Sequence, residues 1–191
     1  MKEQFKPGTM IYPVPAAMIS CGSCEEEYNI FTASWTGTVC TDPPMCYVSI
    51  RPSRHSYDII KRNGEFVINL TNEALARATD WCGVRSGRDY NKFKEMGLTP
   101  AKTQVINSVI VQESPLSIEC KVEQIIPLGS HDMFLARVVN VQADSKYLNP
   151  ETGAFRLSDA KLIAYSHGHY YKLGELIGKF GWSVEKKKRK K

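Results

Sequence analysis

Apolar and polar positions along this chain alternate mostly with the period of two that marks half-buried strands, and helical spacing is confined to short stretches. Residues 11–20 carry Pro13 and Pro15, which exclude an early helix, so the segment reads as extended chain becoming a strand. Gly22-Ser23 and Glu25-Glu26-Glu27 make a polar turn that pairs this strand in a hairpin with residues 31–36. A turn at Asp42-Pro43-Pro44 then leads to a third neighbouring strand, 46–50. Ser56 is predicted to cap a short helix over 57–63, with Asp58 in its first turn and Gly64 as a left-handed terminal residue. Residues 66–70 form a strand, and Thr71 or Asn72 caps a helix bearing Ala74, Leu75, Ala78, Trp81 and Cys82. After a glycine-bearing loop at 82–89, Asp89 starts a short helix that carries Phe93 and Met96 and ends at Gly97.

From Val105 onward strand patterns dominate. Residues 116–123 alternate strictly, so the face with Ile118, Cys120 and Val122 is predicted buried and the face with Ser117, Glu119 and Lys121 wet. A turn at 127–132 opens a strand over 133–141 that is apolar on both faces at several positions, as in a central strand or one covered by a second subunit. Several strands, few helices and short links predict a mainly β fold, an antiparallel barrel. Neither repeat nor linker interrupts residues 1–182, which read as a single domain. Residues 162–182, rich in glycine and aromatics, suit a segment packed against another surface or lining a cofactor pocket.

Composition adds constraints rather than a function. The 42% apolar and 24% charged content is that of an ordinary globular chain. The net charge of +5 is exceeded by the six basic residues at 186–191, so the body is near neutral and 183–191 form a basic tail predicted to be disordered. A near-neutral body argues against a specific nucleic-acid footprint. No run approaches the roughly 18 apolar residues of a membrane span. The polar start Met1-Lys2-Glu3-Gln4-Phe5-Lys6 is not a signal peptide, so the expected address is cytoplasmic, with the six cysteines reduced. Cys21 and Cys24 form a C-x-x-C without a second pair, while Cys40, Cys46, Cys82 and Cys120 are scattered; all read as turn-end or core thiols. His167-Gly168-His169 has no acidic or cysteine partner at helical spacing, and no metal site is expected.

Candidate chemistry concentrates between Asn29 and Asn69. Thr32, Ser34 and Thr36 place hydroxyls beside Trp35, and Arg51, Ser53, Arg54 and Ser56 stand directly before a helix start. Guanidinium groups, hydroxyls and a helix N-terminus together make an anion site, because exposed N–H groups and the helix dipole favour negative charge. Arginine suits phosphate in particular, through paired charge-assisted hydrogen bonds. The aromatic, hydroxyl-rich strand alongside implies that the anion carries something flat, a phosphorylated aromatic cofactor. No G-x-G-x-x-G motif is present.

Further motifs extend this picture: Asn29-x-x-Thr32-x-Ser34-Trp35, then Pro43-Pro44 ahead of Val48-Ser49-Ile50-Arg51-Pro52-Ser53-Arg54, then Glu65-Phe66-Val67-Ile68-Asn69. Cys82-Gly83-x-x-Ser86-Gly87-Arg88-Asp89 with Lys92-Phe93, Gly129-x-His131 and Tyr170-Tyr171-x-Leu173-Gly174 follow. In this order and spacing, across residues 12–182, the chain resembles the flavin reductase-like family of FMN-binding split barrels, in its flavoredoxin-type branch. The resemblance implies a six-stranded antiparallel split β-barrel with a few short helices, binding FMN at a homodimer interface. It implies flavin reduction by NAD(P)H, supplying a partner monooxygenase, or electron carriage from a redox partner protein. Thr32, Ala33, Ser34, Trp35 and Thr36 would then line the isoalloxazine and ribityl chain, with Ser49, Ile50 and Arg51 adding contacts from the next strand. Arg54 and Ser56 would hold the phosphate, Ser86, Gly87 and Lys92 would come from a closing loop, and His131 would sit where a nicotinamide stacks. Hydride chemistry belongs to the flavin, so no side-chain nucleophile and no metal are required.

Overall fold

The computed structural model describes residues 1–185; the basic run 186–191 of the expected tail lies outside the described residues. The chain passes through β1 (Val14–Pro15), β2 (Ala17–Cys21), β3 (Asn29–Ala33), β4 (Thr36–Cys40), β5 (Met45–Ile50), α1 (His55–Asn63) and β6 (Glu65–Asn69). It continues with α2 (Ala76–Val84), α3 (Lys92–Met96), β7 (Pro100–Lys102), β8 (Val109–Val111), β9 (Leu116–Pro127) and β10 (Asp132–Ala143). A final hairpin, β11 (Ile163–Ser166) and β12 (His169–Lys172), pairs with β1 in a three-stranded sheet. No described helix is long and apolar enough to cross a membrane.

The main sheet is antiparallel, in the order β3-β2-β6-β9-β10-β5-β4. Its edge strands β3 and β4 are joined by Ser34 and Trp35 alone. The three steps from Ala33 to Thr36 span at most about 11 Å, so the two edges must meet and the sheet must curl into a barrel. At this seam β3 lies against β5, and the Ser49 N–H donates to the Trp35 carbonyl at 2.9 Å. The expected antiparallel split barrel with few helices is therefore present, with seven strands in its main sheet rather than six. The added strand comes from the bend at Ser34-Trp35, which divides the run predicted as one strand over 31–36. Only the Thr36 end of that run pairs with β5, opposite Val48.

Inward-facing Ile19, Phe31, Val48, Ile50, Phe66, Ile68 and Phe134 fill the barrel, and α1 adds Tyr57, Ile59 and Ile60 to the same core. The alternate residues of β2 and β3, Met18 and Ile30, point out into a second core with Leu75, Ala78, Cys82, Phe93 and Val109. Both faces of β2 are thus covered, consistent with all five of its residues being buried. Asn72 caps the short 3-10 turn leading to α2, accepting the Leu75 N–H at 3.1 Å. Gly64 and Gly97 end α1 and α3 in the left-handed region, at φ 70° and 62°.

Several local predictions are corrected. Helix α1 begins at His55, with Arg54 rather than Ser56 at its N-cap and no side-chain cap. Helix α3 is capped by Asn91 rather than started by Asp89; Asn91 Oδ1 accepts the Lys94 N–H at 3.0 Å. The polar face of β9 is not uniformly wet, since Ser117 and Glu119 are buried. The 104–106 segment lies over Glu119, whose carboxylate accepts the N–H groups of Gln104, Val105 and Ile106 at 2.9, 2.9 and 3.1 Å. The side-chain amides of Asn140 and Gln142 complete its shell at 2.7 and 2.8 Å. Past β12, Leu173, Leu176, Ile177 and Phe180 are exposed in the single chain, so any surface that covers them lies outside it.

Candidate functional site

The groove forms along the seam. Where Ser34 and Trp35 leave the sheet, two hollows open side by side, sharing Phe31, Arg51 and Arg54 in their walls. The first, of about 190 Å³, is lined by Thr32, Ala33, Ser34 and Trp35 from the bend, Ser49 and Ile50 from β5, and His131 and Tyr165. The second, of about 250 Å³, is lined by Ser56, Ser86, Gly87 and Lys92 together with Asn29, Ser53, His55, Arg85 and Arg88. Every sequence-predicted site residue except Thr36 lines one hollow or the other. Thr36 is buried in β4, and its hydroxyl donates to the Tyr47 carbonyl at 2.6 Å. The Thr32 hydroxyl likewise donates to a backbone carbonyl, that of Thr79 in α2, so Thr32 has no free O–H to offer the hollow.

Local folding explains the second hollow. Turn 51–54 closes through the Arg54 N–H on the Arg51 carbonyl at 2.9 Å and delivers the start of α1, where no side chain caps the helix. The Tyr57 N–H already donates to the Arg54 carbonyl at 3.0 Å, which leaves the N–H groups of His55 and Ser56 for an anion. On the floor, Asn29 Nδ2 donates to Ser56 Oγ at 2.7 Å, and both residues are buried. The loop after α2 crosses at Gly87, where an added Cβ would stand 2.2 Å from Asn29 Oδ1 and 2.8 Å from the His55 ring. Only a residue without a side chain lets the loop pass this close.

Charge in the groove is one-sided. Neither hollow has a carboxylate in its lining. Among the described residues, the ion pairs leave out Arg51, Arg54, Arg85, Arg88 and Lys92. Lys92 is 2% exposed and donates Nζ to the Cys82 carbonyl at 2.7 Å; burial pushes its ammonium down to about 8. Burial, then Arg88 and Lys92, lower the His55 imidazole, and burial, then Arg51 and Arg54, lower that of His131. Unpaired cations held close together in a hollow are stabilised by an incoming anion.

The first hollow has a different character. Trp35 stands 6.3 Å from Tyr12 between ring centroids, and Tyr12 in turn lies 6.2 Å from Tyr165 and 4.3 Å from His167. These rings extend the wall of a space suited to a flat heterocycle. The 130–132 turn is tied to α1 by Tyr57 O–H donating to Asp132 Oδ2 at 2.5 Å, and within it Ser130 Oγ lies 2.9 Å from His131 Nδ1. Asn29, His55, Tyr165, Arg85 and Arg88 escaped the sequence reading as site residues. For Arg85 and Arg88 the signal was present, since their loop carries two guanidinium groups with no acidic neighbour before Asp89. Elsewhere, Cys21 is buried and Cys24 exposed, and no group of three or more His, Cys, Asp or Glu stands at metal-binding distance among the described residues.

A seven-stranded split barrel with a carboxylate-free, cation-lined hollow beside one walled by Trp35 and Tyr165 defines a class, and comparison with known proteins places the chain in it. The family described as "Flavin reductase like domain" matches residues 9–174, and the chain belongs to that family. Its fold is similar to that of the flavoredoxin of Desulfovibrio vulgaris (Miyazaki F), with a TM-score of 0.89, 28% identity, and coverage of 97% of this chain and all of the other. Nitrilotriacetate monooxygenase component B from Bacillus cereus is 25% identical with a TM-score of 0.79, each chain covered over 88%. The FMN reductase (NADH) RutF of Pseudomonas syringae is 27% identical over 119 residues, 60% of this chain and 62% of its own.

Proposed function

We propose that the groove holds FMN, with its phosphate against Arg54, Ser56, Lys92 and the start of α1, and its ring system between the 32–35 bend, Ser49-Ile50 and His131. The observation that carries this reading is the junction of an anion hollow and a flat hollow through Arg51 and Arg54. Two hollows with shared walls suit a ligand whose phosphate and heterocycle are joined by a short polar chain. Gly87, with no room for a side chain above Asn29, fits a loop that covers the phosphate. When bound, the flavin supplies hydride and single-electron chemistry. The chain's own residues bind and orient: cations neutralise the phosphate, Trp35 and Tyr165 keep water from the ring, and His131, neutral near pH 7, offers a hydrogen bond without adding charge.

The activity that fits best is NAD(P)H-dependent flavin reduction by a cytoplasmic homodimer, with reduced flavin passed to a partner such as a monooxygenase. Relatives whose names specify NADH-dependent FMN reduction support it. The exposed apolar side chains at 173–182 support a second subunit. The likeness to flavoredoxin over nearly the whole of both chains favours a second reading, an FMN electron carrier loaded by a protein donor. Anaerobic mixing of the FMN-loaded protein with NADH and with NADPH separates them. Bleaching of the flavin absorbance within seconds establishes the reductase. Bleaching by dithionite or a protein donor alone establishes the carrier, and a protein that takes up no FMN rejects both.

A further inference from the structure

The cations of the second hollow lie at different depths. Lys92 and Ser56 are buried on the floor, Arg54 and His55 are half-buried, and Arg51, Arg85 and Arg88 stand exposed at the mouth. A phosphate monoester carries at most two negative charges. Arg54 and Lys92, with the first turn of α1, already balance that charge at the floor. The arginines of the mouth are then in excess, and no carboxylate pairs with them among the described residues. They are also held in place. Arg88 Nη1 donates to the Ser53 carbonyl across the hollow at 3.1 Å, its own N–H bonds to Ser86 Oγ at 3.2 Å, and the Arg85 guanidinium lies 5.7 Å from the Tyr90 ring centre. Fixed, unpaired guanidinium groups above an occupied phosphate floor fit a second, larger anion.

We propose that Arg85 and Arg88 form an outer anion subsite, for the diphosphate of a nicotinamide dinucleotide or for the adenylate phosphate of an FAD whose other phosphate takes the floor. This rests on the assignment of FMN phosphate to the floor and goes beyond it by giving the second nucleotide a place on the protein. A dinucleotide whose diphosphate sits at this mouth can fold its nicotinamide back toward the first hollow, which shares Arg51 and Arg54 with the second. Such a subsite would supply the recognition that a chain without a G-x-G-x-x-G turn otherwise lacks.

The test uses the FMN-loaded protein, its R85Q/R88Q double variant, and ADP-ribose as a redox-inert diphosphate probe followed by calorimetry. The expected result is ADP-ribose binding to the wild type that weakens roughly tenfold or more in the variant, with a clearly smaller loss of FMN affinity from the charge removed at the mouth of the same hollow. FAD binding more tightly than FMN, with that advantage lost in the variant and no ADP-ribose binding, also supports the subsite and makes FAD its occupant. Absence of ADP-ribose binding together with equal affinity for FMN and FAD would overturn the proposal. So would a double variant that leaves all these affinities unchanged, or one that loses FMN itself, since the arginines would then belong to the floor site. If the wild type takes up no FMN, the floor assignment fails instead, and ADP-ribose titration of the unloaded protein still decides the subsite.

Discussion

In the proposed FMN site, single side chains divide the work of anion binding by depth. Arg54 is half-buried and unpaired, so Arg54→Ala removes a charge-assisted contact without opening a core cavity. FMN affinity measured by fluorescence quenching should fall ten- to a hundredfold, about 1.5–3 kcal/mol, while the melting temperature of the unloaded protein stays within a degree or two. Lys92 gives the site a pH dependence of predictable sign. Its folded value of about 8 lies below the ordinary 10.5, chiefly through burial. The charge that attracts the phosphate is therefore lost as pH rises through about 8, and the FMN dissociation constant should climb above that point. Riboflavin, which lacks the phosphate, should show no such climb. For the unloaded fold the sign reverses: between about 8 and 10.5 the unfolded chain binds more protons at this residue, so its contribution to stability grows with pH.

At the level of elements, the buried Glu119 binds β9, β10 and the 104–106 segment into one unit. Burial alone would raise its carboxyl, but the Gln104 N–H, the Asn140 amide, the Val105 N–H and the Gln142 amide outweigh that and hold it below its ordinary value. Its stabilising effect is thus complete above 4.5 and lost as pH falls through the lower folded value. Glu119→Gln turns a donor toward groups that are themselves donors and should cost about 2–4 kcal/mol in urea unfolding at neutral pH, with a shallower acid limb. Glu119 also marks where sequence reading stops. Alternation in β9 correctly divided its residues between two faces, but nothing local reports that another segment covers the polar one. The same limit applies at Ser34-Trp35, because a bend between two strand-like runs leaves the alternation of hydroxyl and apolar residues undisturbed. By contrast, Gly64 and Gly97 were legible as helix ends because a left-handed backbone carries its own residue preference. Most residues lining the groove were legible because turn 51–54 and the bend that precedes it crowd their chemistry into short stretches. Asn29, Tyr165 and His55 needed the fold to bring them there.

For the molecule as a whole, the exposed row Leu173, Leu176, Ile177 and Phe180 is more apolar surface than one extended segment ordinarily leaves in water. Light scattering should give twice the 21.5 kDa chain mass for the wild type and a shift toward the monomer for the pair L176D/I177D. An unchanged dimer in that variant would move the interface elsewhere. Barrel closure has a consequence of another kind. Because two residues join the edge strands, the seam that completes the fold is also the wall of the groove, and a ligand bridging the 32–35 bend to β5 and α1 acts as a clasp on the barrel. Native-state hydrogen exchange should show the Ser49 amide, bonded to the Trp35 carbonyl, slowed by FMN more than amides in the middle of β6 and β9. Loss of the cofactor would then reach the cell as a loosened seam and faster turnover of the protein, before any loss of the sheet itself.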